Sequence, residues 1–102
     1  SLFPIVLPKI SANVEPVFHL FVIQVEKRQS LLNFLELKGI MAGIHYPLAI
    51  HQHPAYEGHI LTAKDMSVTE SIVKKIISLP MYPELPISDA DKIVSVLMKF
   101  YN

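Results

Sequence analysis

The segment at residues 17–25 reads VFHLFVIQV and carries the clearest strand signal of the chain. Valine, isoleucine, phenylalanine and leucine dominate it, and only His19 and Gln24 interrupt the apolar character of its two faces. Such a run is typical of a strand that is covered on both sides. We interpret His19 as a core histidine that donates a hydrogen bond to a backbone carbonyl.

A helix, a second strand and a long loop are predicted directly after this strand. Residues 29–38 place their leucines and phenylalanine along one helical stripe, and Gly39 stands where a C-terminal cap belongs. Residues 40–46 read as a second strand that Pro47 ends. Residues 47–65 show no long periodic pattern and are rich in His, Pro and Tyr. Loops of that length are usually functional or disordered.

The last third of the chain is predicted to hold two helices and a short strand. Ser67 and Glu70 match a capping box, and the helix that they begin keeps an apolar face as far as Ile77. Residues 78–81 read as a short strand, and residues 88–91 resemble a second capping box. The final helix is expected to bury Ile93, Val94, Leu97 and Phe100. This order of elements predicts an α+β fold, a small, mostly antiparallel sheet with helices packed on one side.

Residues 1–16 are expected to form an irregular arm. They contain three of the eight prolines, and proline fixes its own φ and pushes the preceding residue towards extended conformations. We interpret this arm as an interdomain connection and residues 17–102 as the domain. The 51% hydrophobic content is high for a 102-residue chain, which indicates that some apolar surface faces a partner or another domain.

The composition excludes several classes of function. Nine basic residues balance nine acidic ones, so there is no basic field to attract nucleic acid or anionic lipid. The absence of cysteine removes disulfides and thiolate metal sites. The apolar runs are too short to span a bilayer, and residues 1–4 lack the pattern of a signal peptide. We therefore expect a cytoplasmic protein that binds neither nucleic acid nor membranes.

Four histidines lie within fifteen residues in and around the long loop. They are His45, His51, His53 and His59. Imidazole is a common metal ligand, but no cysteine and no H-E-x-x-H pair accompanies them, and the nearby carboxylates are only Glu57 and Asp65. We therefore favour contact with a substrate over a metal site. No G-x-S-x-G elbow and no glycine-rich phosphate loop is present either, so the chain shows no catalytic set of its own.

Four motifs in register resemble the DegT/DnrJ/StrS family of sugar aminotransferases. The first is HLFVI at residues 19–23. The second is the run from Gly39 to Tyr56, which contains IHYP, a later histidine and PAY. The third is SLPMYPEL at residues 78–85, and the fourth is the ending KFY at residues 99–101. The resemblance covers residues 17–101, and the matching order and spacing make it specific. The family often has proline where Ala49 stands and glutamine where His53 stands, which leaves the substrate open.

The resemblance implies the small C-terminal domain of a fold type I aminotransferase, which closes one side of the active-site cleft. The large domain of the family binds pyridoxal phosphate through a lysine. The dimeric enzyme moves an amino group from glutamate or glutamine to a nucleotide-linked keto sugar. No lysine of this chain lies in the family's Schiff-base context. We therefore expect no catalytic and no cofactor-binding residue here, and no activity without the N-terminal domain.

By resemblance, His45 and Tyr46 stand at the end of the second strand and face the cleft, with His51 on the loop behind them. Imidazole and phenol groups suit hydrogen bonding to sugar hydroxyls or nucleotide phosphates. An equally weighted alternative is a network that anchors the loop around Pro47. Two other functions stay open: a stand-alone α+β binding module without catalysis and, less favoured, a histidine-based metal module.

Overall fold

The protein folds as three short strands and three helices within residues 4–102, which are the residues that the computed structural model describes. In chain order these elements are β1 (Ile5–Val6), β2 (Phe21–Val25), α1 (Arg28–Leu37), α2 (Ser67–Ile72), β3 (Ile76–Leu79) and α3 (Ile87–Tyr101), with 3₁₀ turns at Ile50–Gln52 and Pro54–Tyr56. In this described part, no helix is both long enough and apolar enough to cross a membrane.

The strands form one antiparallel sheet in the order β1–β2–β3. Ile23 of β2 lies opposite Ile77 of β3, and Val25 lies opposite Ile5 of β1. Side chains alternate between the two faces of a strand, and directly opposed residues share a face. These four residues therefore project together from one side of the sheet, which we call the core face.

Helices α1 and α3 pack against the core face. The most deeply buried side chains come from the sheet and α1, and they are Ile23, Val25, Leu31, Leu35 and Ile77. Ile93, Val96 and Leu97 of α3 complete the core. The rings of Phe34 and Phe100 join the two helices, with their centroids 5.3 Å apart. The predicted class, α+β with a small antiparallel sheet and helices on one side, is confirmed.

The N-terminal arm differs from its prediction because two of its residues join the sheet. Ile5 and Val6 pair with β2, and the Glu26 N–H donates to the Pro4 carbonyl at 3.2 Å. An edge strand offers unpaired backbone groups, and a neighbouring extended segment satisfies them. The beginning of the arm, residues 1–3, lies outside the described residues, and the domain division at residue 17 stays a prediction.

Strand β2 begins at Phe21, four residues later than predicted. Phe18 has a left-handed backbone with φ of 49°, a conformation that does not continue a strand. The ladder with β3 ends at the pair of Phe21 and Leu79, because Pro80 follows and has no N–H to donate. His19 lies before the strand and is exposed, so its interpretation as a core histidine is wrong.

Residues 40–46 do not form the predicted second strand. They contact the sheet through one bridge, in which Gly43 and Ser78 exchange two backbone hydrogen bonds of 2.7 and 3.0 Å. Ile40 is buried in the core and Ala42 packs against it. Ile40 and Ala42 are therefore apolar because they cover the core, and burial and strand pairing favour the same residue types.

The predicted helix from Ser67 to Ile77 is divided into α2 and β3. The Arg28 guanidinium donates to the Val73 carbonyl at 2.6 Å and to the Ile76 carbonyl at 3.3 Å. In a continuous helix, the Val73 carbonyl would accept from the Ile77 N–H. Arg28 occupies that acceptor, and Ile77 enters the sheet instead.

Neither predicted capping box forms. Ser67 is the first residue of α2, and its N–H is bound by the Asp65 carboxylate at 2.9 Å. A hydrogen bond from the Ser67 hydroxyl, followed by the one from its N–H, holds the pKa of the Asp65 carboxyl below its ordinary value. Helix α3 begins at Ile87 without a side-chain cap. On α3, Val94 is 57% exposed while Val96 is buried, so the expected burial of Val94 is wrong.

Candidate functional site

His45 lies over the sheet on the face opposite the core. Its Nδ1 atom is 2.9 Å from the hydroxyl oxygen of Ser78 in β3. The ring also lies against Gly43, where a Cβ atom would come within 3.0 Å of its Cε1. Gly43 and Ser78 are the two bridge partners, so the residues that hold this ring are themselves joined by backbone hydrogen bonds.

Tyr46 is 65% exposed and follows His45 through a cis peptide bond. The two rings meet edge to face, with centroids 5.5 Å apart, a geometry that aromatic rings prefer. The tyrosine therefore packs on an anchored neighbour and still leaves most of its surface open to a ligand.

His51 is anchored from a different element. Its Nε2 atom is 2.8 Å from the Glu70 carboxylate of α2, and the side chains are 15% and 44% exposed. The turn at Ile50–Gln52 holds the histidine in place, because the Gln52 side-chain oxygen accepts the Ala49 N–H at 2.9 Å. The contact closes the loop onto α2.

The three residues singled out from the sequence converge on one pocket of about 340 Å³. His45, Tyr46 and His51 share its lining with residues of α2 and β3, among them Thr69 and Ile76. Imidazole and phenol groups on a largely aliphatic lining can orient a polar ligand while its apolar parts are buried. We call this cavity the histidine pocket.

The other two loop histidines lie outside this arrangement. His53 meets the ring of Tyr56 edge to face at 6.4 Å, and His59 is exposed. Among residues 4–102, no group of three His, Cys, Asp or Glu side chains is placed to hold a metal ion. Of the four histidines, two therefore share the histidine pocket and two do not.

Three residues that contact the histidines of the pocket were not singled out from the sequence. Ser78 is a polar residue inside the apolar strand IISL, which is a readable signal of a side-chain partner. Glu70 was interpreted as a cap, although it contacts His51 across the loop. Gly43 has no signal in a single sequence, because its role is to leave room for a ring.

The described residues do not fit pyridoxal phosphate, which needs a lysine for its Schiff base and donors for its phosphate. No lysine lines the histidine pocket. Lys75 lies 3.6 Å from Glu26, and Lys92 lines a separate groove together with Asp89, whose charge disfavours a phosphate there. The side chains that line the histidine pocket offer groups for binding and positioning a ligand.

Comparisons with known proteins point to one family of enzymes. The model of the DegT/DnrJ/EryC1/StrS aminotransferase family matches residues 3–98. The chain is 31% identical over 94 residues to a dTDP-3-amino-3,4,6-trideoxy-alpha-D-glucose transaminase of Streptomyces venezuelae, covering 92% of this chain and 25% of that protein. It is 32% identical over 93 residues to a UDP-N-acetyl-3-dehydro-alpha-D-glucosamine 3-aminotransferase of Acidithiobacillus ferrooxidans, covering 91% and 25%.

A solved structure shows the same fold. The crystal structure of a DegT/DnrJ/EryC1/StrS aminotransferase from Brucella abortus superposes with a TM-score of 0.91 at 30% identity, over 97% of this chain and 26% of that one. The chain belongs to the DegT/DnrJ/EryC1/StrS aminotransferase family, as the sequence motifs predicted. It spans about a quarter of the length of the curated relatives that it matches.

Proposed function

We propose that this chain is the small C-terminal domain of a pyridoxal-phosphate-dependent aminotransferase and closes one side of its active-site cleft. The intact enzyme, a homodimer, moves an amino group from glutamate or glutamine to a nucleotide-linked keto sugar. The observation that carries the proposal is the convergence of His45, Tyr46 and His51 on one pocket. The family membership and the coverage of a quarter of two nucleotide-sugar aminotransferases support it.

The histidine pocket would contribute binding and orientation of the sugar nucleotide. Tyr46 is exposed and offers a phenol group that donates or accepts a hydrogen bond. His45 is held through Nδ1 and keeps Nε2 for a ligand oxygen. Pyridoxal phosphate, held by the large domain, supplies the electron sink of the reaction.

For His51, the contacts favour anchoring of the loop over contact with a ligand. Its Nε2 atom is already engaged by Glu70, and the ring is largely buried. A histidine committed in this way shapes the wall of the pocket. The proposed division is therefore ligand contact by His45 and Tyr46, with His51 keeping the loop in place.

The proposal is tested with a hybrid enzyme in which this chain replaces the matching quarter of the Streptomyces venezuelae transaminase. We expect the hybrid to aminate the parent's sugar nucleotide. Tyr46→Phe should raise KM for that substrate by about 2- to 10-fold, the equivalent of one hydrogen bond. Tyr56→Phe is the matched control, because Tyr56 lies against His53 and does not line the histidine pocket.

Two outcomes would contradict the proposal. One is a hybrid that shows the parent's absorption band for bound pyridoxal phosphate, and is therefore folded, but has no turnover. The other is an equal KM for the Tyr46→Phe and Tyr56→Phe hybrids. A separate check uses the chain alone, which should give no such band when mixed with pyridoxal phosphate.

A further inference from the structure

Ser78 is a buried polar residue with an unusually restricted set of partners. It is 5% exposed, and its N–H and C=O groups are both bonded to Gly43 across the bridge. Ser78 lies opposite Val22 in the sheet, so its side chain projects from the face opposite Ile77. Its hydroxyl is the group that contacts His45.

The direction of the hydrogen bond between Ser78 and His45 depends on which ring nitrogen of His45 carries the proton. A neutral imidazole has one N–H donor and one acceptor nitrogen, whereas a hydroxyl can donate one hydrogen bond and also accept. Among residues 4–102, the Ser78 hydroxyl has one side-chain partner, the Nδ1 atom of His45. Donation by His45 would leave the buried hydroxyl proton without an acceptor among these residues, which is unfavourable for a buried polar group. An arrangement with the hydroxyl as the donor and the imidazole proton on Nε2 satisfies both groups.

Gly43 supports the same arrangement by leaving space. Its φ is not in the left-handed region, so no unusual backbone conformation calls for glycine there. A Cβ atom would instead come within 3.0 Å of the His45 ring, a separation that carbon atoms avoid. The His45 ring thus lies between the Ser78 hydroxyl, which contacts its Nδ1 atom, and Gly43, which has no side chain and so leaves room for the ring.

We propose that Ser78 is a positioning residue that holds His45 as its Nε2–H tautomer, so that the ring presents an N–H donor to the histidine pocket. The matching ligand group is an acceptor oxygen, such as a phosphate or sugar oxygen. This last step rests on the proposed function of the pocket. The tautomer itself does not depend on it.

Imidazole ¹⁵N NMR on the 102-residue chain tests the tautomer at alkaline pH, where imidazoles are neutral. We expect the Nε2–H form to dominate for His45 in the wild type. In Ser78→Ala, the tautomer ratio of His45 should move towards that of the exposed His59, which is the internal control. Ser78→Thr keeps a hydroxyl and should restore the wild-type ratio.

Backbone amide shifts report whether each variant keeps the fold. A wild-type His45 in the Nδ1–H form would overturn the proposal. So would a folded Ser78→Ala variant whose tautomer ratio is unchanged, or a folded Ser78→Thr variant that does not restore it. Titration with thymidine diphosphate then tests the pocket separately: an unmoved His45 signal would count against the proposed function and leave the tautomer assignment standing.

Discussion

Ile77 and Ser78 are neighbours in β3 and both are buried, yet they project from opposite faces of the sheet. Ile77 packs in a core shared by β2, α1 and α3. Ser78 projects from the opposite face, where it makes one directed hydrogen bond to His45 of the histidine pocket. One strand therefore supports two regions that are held together by different kinds of interaction.

This difference predicts how each face of the sheet responds to the loss of a side chain. Core burial is roughly proportional to apolar area and spreads over many partners, so a lost side chain lowers the free energy of unfolding. The pocket depends on a few contacts with defined donors and acceptors, so a lost group mainly changes geometry. Stability measurements should therefore identify core-face residues, and spectroscopic or binding measurements should identify pocket residues.

The largest expected effect is that of Ile77→Ala. Truncation of a fully buried isoleucine removes its transfer free energy and leaves a cavity, so we expect a loss of about 2–5 kcal/mol in unfolding by urea. The matched control is Ile76→Ala, because Ile76 is only half-buried and lines the histidine pocket. Equal losses for the two variants would show that the faces do not differ as described.

This core face was the part of the fold most readable from the sequence. The periodicity of 3.6 in α1 and α3 and the apolar run of β2 follow directly from which side chains must be buried. The predicted limits of helices and strands were wrong where burial and strand pairing favour the same residue types. Ile40 and Ala42 are apolar because they cover the core, and Ile77 suits a helix and a strand equally well.

The histidine pocket was only partly readable. His45, Tyr46 and His51 were singled out through motif resemblance, and they do meet. Two of the residues that support them, Ser78 and Glu70, were missed because they are distant in sequence: Ser78 lies 33 residues from His45, and Glu70 lies 19 residues from His51. Propensities and periodicities describe neighbours along the chain, so contacts of this range appear only in three dimensions.

Gly43→Ala is the next largest change and acts on the pocket face. The added methyl group would press on the His45 ring, and we expect a loss of about 1–3 kcal/mol, typical of overpacking. The double variant Gly43→Ala/His45→Ala removes the ring that is contacted. It should therefore be less destabilised than the sum of the two single variants, as a double-mutant cycle measures.

Gly58→Ala is the comparison for this variant. Gly58 has φ of 76° and nothing within 4 Å of an added Cβ, so its cost is backbone strain alone. That cost should not change in a His45→Ala background. If the cost of Gly43→Ala is equally independent of His45, the contact between the glycine and the ring is not what requires glycine.

Tyr101 makes the stability of the core side depend on pH in the alkaline range. Its hydroxyl donates to the Glu26 carbonyl at 2.5 Å, and burial, followed by the Glu26 charge, raises its pKa. The neutral phenol is the form favoured by folding, so its contribution is fully present below the ordinary tyrosine pKa of about 10. It is lost as pH rises through the raised pKa. We expect Tyr101→Phe to lose about 0.5–1.5 kcal/mol at neutral pH and to show less alkaline destabilisation.

The control for Tyr101→Phe is Tyr82→Phe, since Tyr82 is half exposed and lies outside the core. Urea unfolding of both variants is followed from neutral to alkaline pH. An alkaline loss of stability that is as steep in Tyr101→Phe as in the wild type would show that another group causes it.

The smallest effect on stability is expected for Glu70→Gln, which separates the two histidine anchors. The carboxylate is 44% exposed, and partly exposed ion pairs contribute at most about 1 kcal/mol. Glutamine keeps an acceptor oxygen for His51 without the charge, whereas Glu70→Ala removes the contact. Amide hydrogen exchange at residues 49–53 should therefore increase most in Glu70→Ala, less in Glu70→Gln and not in Glu57→Gln, the exposed control.

Because His45 is held by β3 and not by α2, its exchange and tautomer should stay unchanged in all three. A coupled change at His45 would show that the two anchors form one unit.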